Sequence, residues 1–194
     1  MRKTMAQSEQ YLRLFNSKGD VKNLKKAFPV LLVAAKEGHA NAQNLVGYWY
    51  IKGRGIKRDP RSAVRWFRRA VGKNHKEAIF NLALAYEKGK GVRKDLRKAF
   101  LLYRKAALLG ELWAQCNLSV RYRKGVGTRR SLSDAVYWCR KAAVGGDVPS
   151  QYNLALCYIR GEGVRKNVPL AKSWLKKAAA KGDDKAAKLL KKLG

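Results

Sequence analysis

Tyr50, Tyr86, Tyr122 and Tyr158 stand 36 residues apart, and each is followed at a constant distance by a glycine pair: Gly53/Gly55, Gly89/Gly91, Gly125/Gly127 and Gly161/Gly163. Alanines keep the same step at Ala63, Ala99, Ala135 and Ala171, and again at Ala70, Ala106, Ala142 and Ala178. Trp66, Trp138 and Trp174 share a further column, which Leu102 fills in the second copy. Nothing is inserted or deleted across the four copies. A period of this length leaves few folds open, because one copy cannot bury its apolar face alone and must stack on its neighbours as a solenoid.

Within a copy the apolar spacing is helical twice. Ala78, Leu82 and Tyr86 follow one another at four and four, while Ala99, Leu102, Tyr103 and Ala106 form a second stripe, with the glycine loop between them. Gly89 then falls just past the first helix, where a left-handed residue satisfies its last carbonyls, and Asp95 (Asp59, Ser131 and Asn167 in its column) is placed to cap the second. Asn74, Gly110, Gly146 and Gly182 end the second helix. The predicted fold is all-α, a right-handed α/α superhelical solenoid of helix-turn-helix repeats with a 36-residue period. It is expected to form one repeat domain over 1–194, with repeats at 42–77, 78–113, 114–149 and 150–185. A degenerate first repeat is expected at 6–41, where Gly19, Ala27, Ala34 and Gly38 keep the columns loosely, and a C-terminal capping helix at 186–194.

Charge narrows the partners. Forty-four Lys and Arg against thirteen Asp and Glu leave a formal charge of +31, which favours contact with something anionic. Cys116, Cys139 and Cys157 fall at three different phases of the repeat, so no disulfide pair is built into the architecture and a reducing compartment, the cytoplasm, is expected. The start, "MRKTMAQSEQYLRLF", has no apolar run of signal-peptide length, and no segment approaches a membrane span. Its faint amphipathic, Arg-containing character leaves organelle targeting open. His39 and His75 share one column in the turns between units, acidic residues are scattered apart from Asp183/Asp184, and no Cys or His cluster has metal-ligand spacing. The chain is therefore expected to be no enzyme and to need no metal or cofactor.

The glycine loops are not phosphate-binding loops of the nucleotide-binding type, which need a strand before the glycines and Lys-Ser/Thr opening a helix after them. The cations beside them recur, however: Lys57/Arg58, Arg93/Lys94, Arg129/Arg130 and Arg165/Lys166. Stacked copies would align these eight as an anion-binding ladder, or leave them as solvated loops. A second set, Arg68/Arg69, Arg104/Lys105, Arg140/Lys141 and Lys176/Lys177, sits in the last turn of the second helices, where cations oppose the helix dipole.

Taken together, Val46, Gly47, Tyr50, Gly53, Gly55, Ile56, Asp59, Ala63, Trp66 and Ala70 and their counterparts resemble the Sel-one-like (Sel1-like) repeat, a relative of the tetratricopeptide repeat. Departures are Thr128 for the usual Val, Ser131 for Asp, Leu102 for Trp and Ser150 for Ala. The chain also lacks the two cysteines per unit that some members carry. The resemblance implies a scaffold or adaptor in protein complexes. By analogy with tetratricopeptide units it also implies a concave groove lined by the first helices. One row of that groove would be Asn44, Phe80, Cys116 and Tyr152, and the next Tyr48, Leu84, Val120 and Leu156. Lys52, Lys88, Lys124 and Arg160 would form its margin. Such a groove suits an extended or helical peptide with acidic residues, although the same rows also fit simple packing within the solenoid. The expected function is thus non-enzymatic protein–protein scaffolding biased toward acidic partners. The alternative is a nucleic-acid-associated protein that binds phosphates through the loop ladder, and an anionic membrane or polysaccharide would use the same residues.

Overall fold

Recurring caps at the ends of the repeat helices set the architecture of this computed structural model, which describes residues 21–194, with side chains from Ala27 onward. The front of the expected first repeat, including Gly19, and the amphipathic N-terminal stretch lie outside the described residues. Those described form α-helices joined by turns and contain no strand, as the periodicity predicts. They divide into two compact units, one ending at Asp95 and one running from Leu96 to Gly194.

The first unit contains α1 (Val21–Lys36), α2 (Ala40–Lys52), α3 (Pro60–Val71) and α4 (Lys76–Lys88). Consecutive helices pack against each other, and α2 also touches α4. Leu31, Ala34, Val46, Trp49 and Trp66 are buried together, and Phe28 stacks on Trp49 at 5.8 Å between ring centroids. The second unit contains α5 (Leu96–Leu108), α6 (Leu112–Lys124), α7 (Leu132–Val144), α8 (Val148–Arg160), α9 (Val168–Ala179) and α10 (Asp184–Lys192). Here too each helix packs on the next. Its core joins Val136, Cys139, Leu154, Tyr158 and Leu175, and Ala186 of α10 closes it.

The repeated residues have identifiable tasks. At the first loop glycine the chain turns left-handed to cap the first helix, as at Gly89 (φ 65), whose N–H donates to the Ala85 carbonyl. The second loop glycine is held by contact. A Cβ on Gly91 would stand 2.1 Å from the Pro60 carbonyl oxygen, one on Gly127 2.1 Å from that of Leu96, and one on Gly163 2.2 Å from that of Leu132. Each loop therefore lies directly on the first turn of the preceding copy's second helix, and only glycine fits. The tyrosine column closes the loop through its backbone: the Asp59, Asp95, Ser131 and Asn167 N–H groups donate to the carbonyls of Tyr50, Tyr86, Tyr122 and Tyr158 at 2.9 to 3.0 Å. Side chains of Asp59, Ser131 and Asn167 then accept from the first turn of the following helix, as their types predict.

Second helices end in a Schellman arrangement that explains the alanine column at its start. The His75 N–H donates to the Ala70 carbonyl and the Asn74 N–H to that of Val71, with Asn74 at φ 54. Gly110/Glu111, Gly146/Asp147 and Gly182/Asp183 repeat the pattern. The residue that completes this turn is also the N-cap of the next helix, so a single residue joins two copies. His75, which the sequence presents only as part of a turn, is one of these: its Nδ1 accepts the Ala78 N–H at 3.2 Å and its Nε2 meets Asn41 Oδ1 at 2.5 Å. A glutamine column adds a further link between copies. Gln43, Gln115 and Gln151 each donate from Nε2 to a carbonyl at the end of the preceding second helix, those of Ala35, Ala107 and Ala143.

Candidate peptide-binding cleft

In the first unit, helical periodicity brings one face of α2 opposite one face of α4 and leaves a cleft of about 190 Å³ between them. Tyr48, Ile51 and Lys52 come from α2, Phe67 from α3, and Asn81, Leu84, Ala85 and Lys88 from α4, with Lys90 of the following loop at the rim. Four of the predicted groove residues, Tyr48, Lys52, Leu84 and Lys88, are thereby brought together. α2 approaches α3 closely because it carries glycine there: a Cβ on Gly47 would lie 2.6 Å from Phe67 Cε1. α2 and α4 are joined where Asn81 Nδ2 donates to Asn44 Oδ1 at 2.9 Å. Phe80 is half-buried and outside the cleft lining.

Cations gather on the aromatic wall of this cleft. Lys52 Nζ lies 5.7 Å from the Tyr48 ring centroid and Arg54 Cζ 5.5 Å from it, so two positive groups lie over one ring. An apolar floor beneath several ammonium and guanidinium groups can take an aromatic or aliphatic side chain whose neighbours carry carboxylates. It holds no nucleophile beside a base, and no group of three or more His, Cys, Asp or Glu among the described residues could hold a metal ion.

Corresponding positions in the second unit are arranged differently. Cys116 accepts a hydrogen bond from Ser150 Oγ at 3.5 Å, and burial pushes its pKa up to about 11. Tyr152 packs against the core of α7 to α10. Val120 is exposed and Leu156 half-buried; Lys124 and Arg160 are both exposed, with Arg160 Nη1 3.6 Å from Glu162 Oε1. A neighbouring feature that the sequence does not announce is Arg121, a buried arginine whose guanidinium lies 4.4 Å from the Tyr103 ring centroid. Its column elsewhere holds Trp49, Ala85 and Cys157, so the repeat gives no signal for it.

The loop cations Lys57, Arg58, Arg93 and Lys94 in the first unit and Arg129, Arg130, Arg165 and Lys166 in the second are all exposed. The second of each pair also has a packing role, since the Cβ atoms of Arg58, Lys94, Arg130 and Lys166 sit over the first loop glycine. In the helix-end set, Arg68 Nη2 donates to Tyr86 Oη at 3.2 Å and Arg140 Nη2 to Tyr158 Oη at 2.7 Å, which ties each to the following copy. Arg69 and Lys177 lie over Trp66 and Trp174 at 4.4 and 4.5 Å. Arg68 and Arg140 therefore stitch copies together as well as opposing the helix dipole, whereas Arg69 and Lys177 cover a tryptophan of their own helix.

The family model described as Sel1 repeat matches residues 40–75, 76–111, 114–147 and 148–183. The first, second and fourth of these begin two residues ahead of the alanine column that frames the repeats in the sequence. Among solved structures, a protective antigen present in uropathogenic Escherichia coli strains and displaying an SLR fold is 31% identical, with a TM-score of 0.89 over 96% of this chain and 40% of that one. A Sel1 repeat protein from Oxalobacter formigenes is 32% identical, with a TM-score of 0.83 over 88% of this chain and 49% of that one. The chain thus spans less than half the length of either. An immunity protein from Pseudomonas aeruginosa, 19% identical with a TM-score of 0.60 over 95% of this chain and 68% of that one, shares the fold. No curated protein matches the chain.

Proposed function

The chain belongs to the Sel1 repeat family, whose members generally serve as protein–protein interaction scaffolds, and from that premise we propose that it captures an acidic peptide segment in the cleft between α2 and α4. The observation that carries this reading is the cleft itself, where the apolar side chains of Tyr48 and Leu84 and the cations Lys52, Lys88 and Lys90 share one lining. Apolar contact would supply the anchor, and the cations the orientation and the on-rate. The protein does no chemistry of its own. Three free cysteines suit a reducing compartment such as the cytoplasm.

Two polymers separate anchor from charge: fluorescent poly-glutamate and a glutamate–tyrosine copolymer of matched length. The copolymer should bind about tenfold more tightly, and Tyr48→Ala with Leu84→Ala should remove that advantage while leaving poly-glutamate binding in place. Lys52→Gln with Lys88→Gln should weaken both and flatten the salt dependence. Equal affinity of the two polymers for the unmodified protein would reduce the cleft to one more charged surface.

A second reading, phosphate binding through the loop cations, is supported by their exposure. Among the described residues none of the eight pairs with a carboxylate. Replacing all eight by Gln should lower the slope of log affinity for DNA or RNA against log salt by several units if they contact phosphates. An unchanged slope would remove this reading.

A further inference from the structure

The repeat accounts for nearly every buried aromatic and leaves one exposed tryptophan unexplained. Trp113, in the first turn of α6, is 62% exposed, and its column elsewhere holds Asn41, Glu77 and Pro149. It has exposed apolar neighbours. Leu108, 67% exposed, ends α5 just before the short turn that leads to Trp113. Val144, 71% exposed, is the same position on α7, and its neighbour Gly145 faces Leu112: a Cβ there would meet Leu112 Cδ1 at 2.8 Å. Two turns earlier on the same face, Leu101 on α5 and Tyr137 on α7 again share a column and are half exposed. The fold does not require apolar residues here, since the Leu101 column holds Arg65 and Ser173 elsewhere and the Leu108 column holds Gly72 and Ala180.

Between these apolar tips lie cations. Exposed residues of α5 include Arg97, Lys98, Arg104 and Lys105, and those of α7 include Arg140 and Lys141, against one exposed carboxylate, Asp134. We propose that the outer face of α5 and α7, with Trp113 at its end, is a peripheral docking surface for an anionic lipid bilayer. The tips are interspersed among cations rather than gathered into a groove. A fluid, negatively charged interface fits that pattern: tips enter the headgroup layer while Lys and Arg stems lie along it with their charges on lipid phosphates. Tryptophan is the side chain best suited to the boundary, since its ring is apolar and its N–H polar. No helix among the described residues is long and apolar enough to cross a membrane, so the contact is peripheral. It lies in the second unit, apart from the Tyr48 cleft, and neither proposal depends on the other.

The test is sedimentation with vesicles of phosphatidylcholine alone or with roughly a third phosphatidylglycerol, in about 150 mM salt. Tryptophan emission is read in a Trp174→Phe background, because Trp49, Trp66 and Trp138 are buried, Trp174 is half-buried beside Val144, and Trp113 is exposed. The unmodified protein should sediment with the anionic vesicles only, and in the Trp174→Phe background the emission should shift to the blue and be quenched by lipids brominated near the headgroup. Replacing Leu101, Leu108 and Trp113 by Gln leaves the charge unchanged and should lower the partition coefficient about tenfold or more. Arg97→Gln, Arg104→Gln, Lys105→Gln and Lys141→Gln together should lower the preference for anionic lipid about tenfold or more. If the apolar variant binds as well as the parent, or the parent's emission stays unshifted and unquenched on bound vesicles, the contact is mere adsorption of a cationic chain and the proposal fails. It fails equally if poly-glutamate shifts the emission as far as the vesicles do, since a protein partner would then account for the surface. The quenching arm leaves Leu101, Leu108 and Trp113 in place, so a misfolded variant of the docking face cannot decide the outcome.

Discussion

The two units meet one structural demand with different chemistry. Where a second helix ends and the next first helix begins, the turn residue stands at the N-cap of the new helix. In the first unit this is His39, whose side chain makes no cap bond, and His75, whose Nδ1 accepts one; in the second Glu111, Asp147 and Asp183 all accept through carboxylates. Outer faces diverge in the same way. On α3 the exposed residues are Arg61, Arg65, Arg68 and Arg69, whereas the equivalent helix α5 exposes leucines among its cations. The alanine and loop-glycine columns hardly change, because a residue there is packed on all sides or lies against the neighbouring copy. Chemistry that differs between copies is therefore concentrated where the fold asks only for an acceptor, or for nothing, with buried Arg121 the exception.

That division can be broken most severely at the loop glycines. Gly127 and Gly110 both hold positive φ, 73° and 79°, so alanine strains the backbone at either. Only at Gly127 would the new Cβ collide with a carbonyl, that of Leu96; at Gly110 it meets nothing within 4 Å. Gly127→Ala should cost on the order of 3 kcal/mol or more, and Gly110→Ala about 1 kcal/mol, by urea denaturation. Equal costs would mean that the loop does not rest on the preceding helix. Trp138→Ala removes a ring that is 7% exposed and should cost about 3 to 5 kcal/mol, whereas a negligible loss would contradict its place in the core.

Much of this was legible because repetition multiplies weak local signals. A single Gly-x-Gly would say little, but four pairs at one spacing mark a backbone requirement, and the caps Asp59, Ser131 and Asn167 follow from residue type and register. The reason for the second glycine was not legible, since it is a contact with a carbonyl about thirty residues earlier. His75 was visible as a column but not as a cap, because histidine is an uncommon residue in that role. Of the predicted groove, Tyr48, Lys52, Leu84 and Lys88 line one cleft. Cys116 occupies the same row as Asn44, but Ser150, the residue standing where the pattern has alanine, bonds to it. The single departure at Ser150 thus changes the local surface, and only the packed neighbour reveals it.

Asn167 offers a smaller test of the caps. It accepts the Leu170 N–H at 2.9 Å, and Asn167→Ala should cost about 1 kcal/mol. A cost near zero would show that the backbone bonds at this corner suffice without the side chain. Cys139 gives a chemical counterpart. Burial pushes its pKa up to about 12, so at pH 8 it should react with a disulfide reagent only as fast as the second unit opens.

The gentlest perturbation bears on the comparison most directly, since pH alone should distinguish an imidazole cap from a carboxylate one. His75 must be neutral to accept the Ala78 N–H through Nδ1, and burial lowers its pKa below 6.5, with the Glu77 carboxylate opposing that shift in part. Below pH 6.5 the unfolded chain takes up a proton that the folded chain refuses. Its contribution is therefore fully present above pH 6.5 and is lost as the pH falls through the folded-state pKa. Amide exchange in the first turn of α4, corrected for the intrinsic pH dependence, should lose protection over that range, while the first turn of α8, capped by Asp147, should not. His75→Asn keeps a cap acceptor and removes the titration, so protection in α4 should become as insensitive as in α8. Should α4 keep its protection down to pH 5, or His75→Asn leave the pH dependence in place, the cap would not be what holds this turn, and the two units would be alike in this respect.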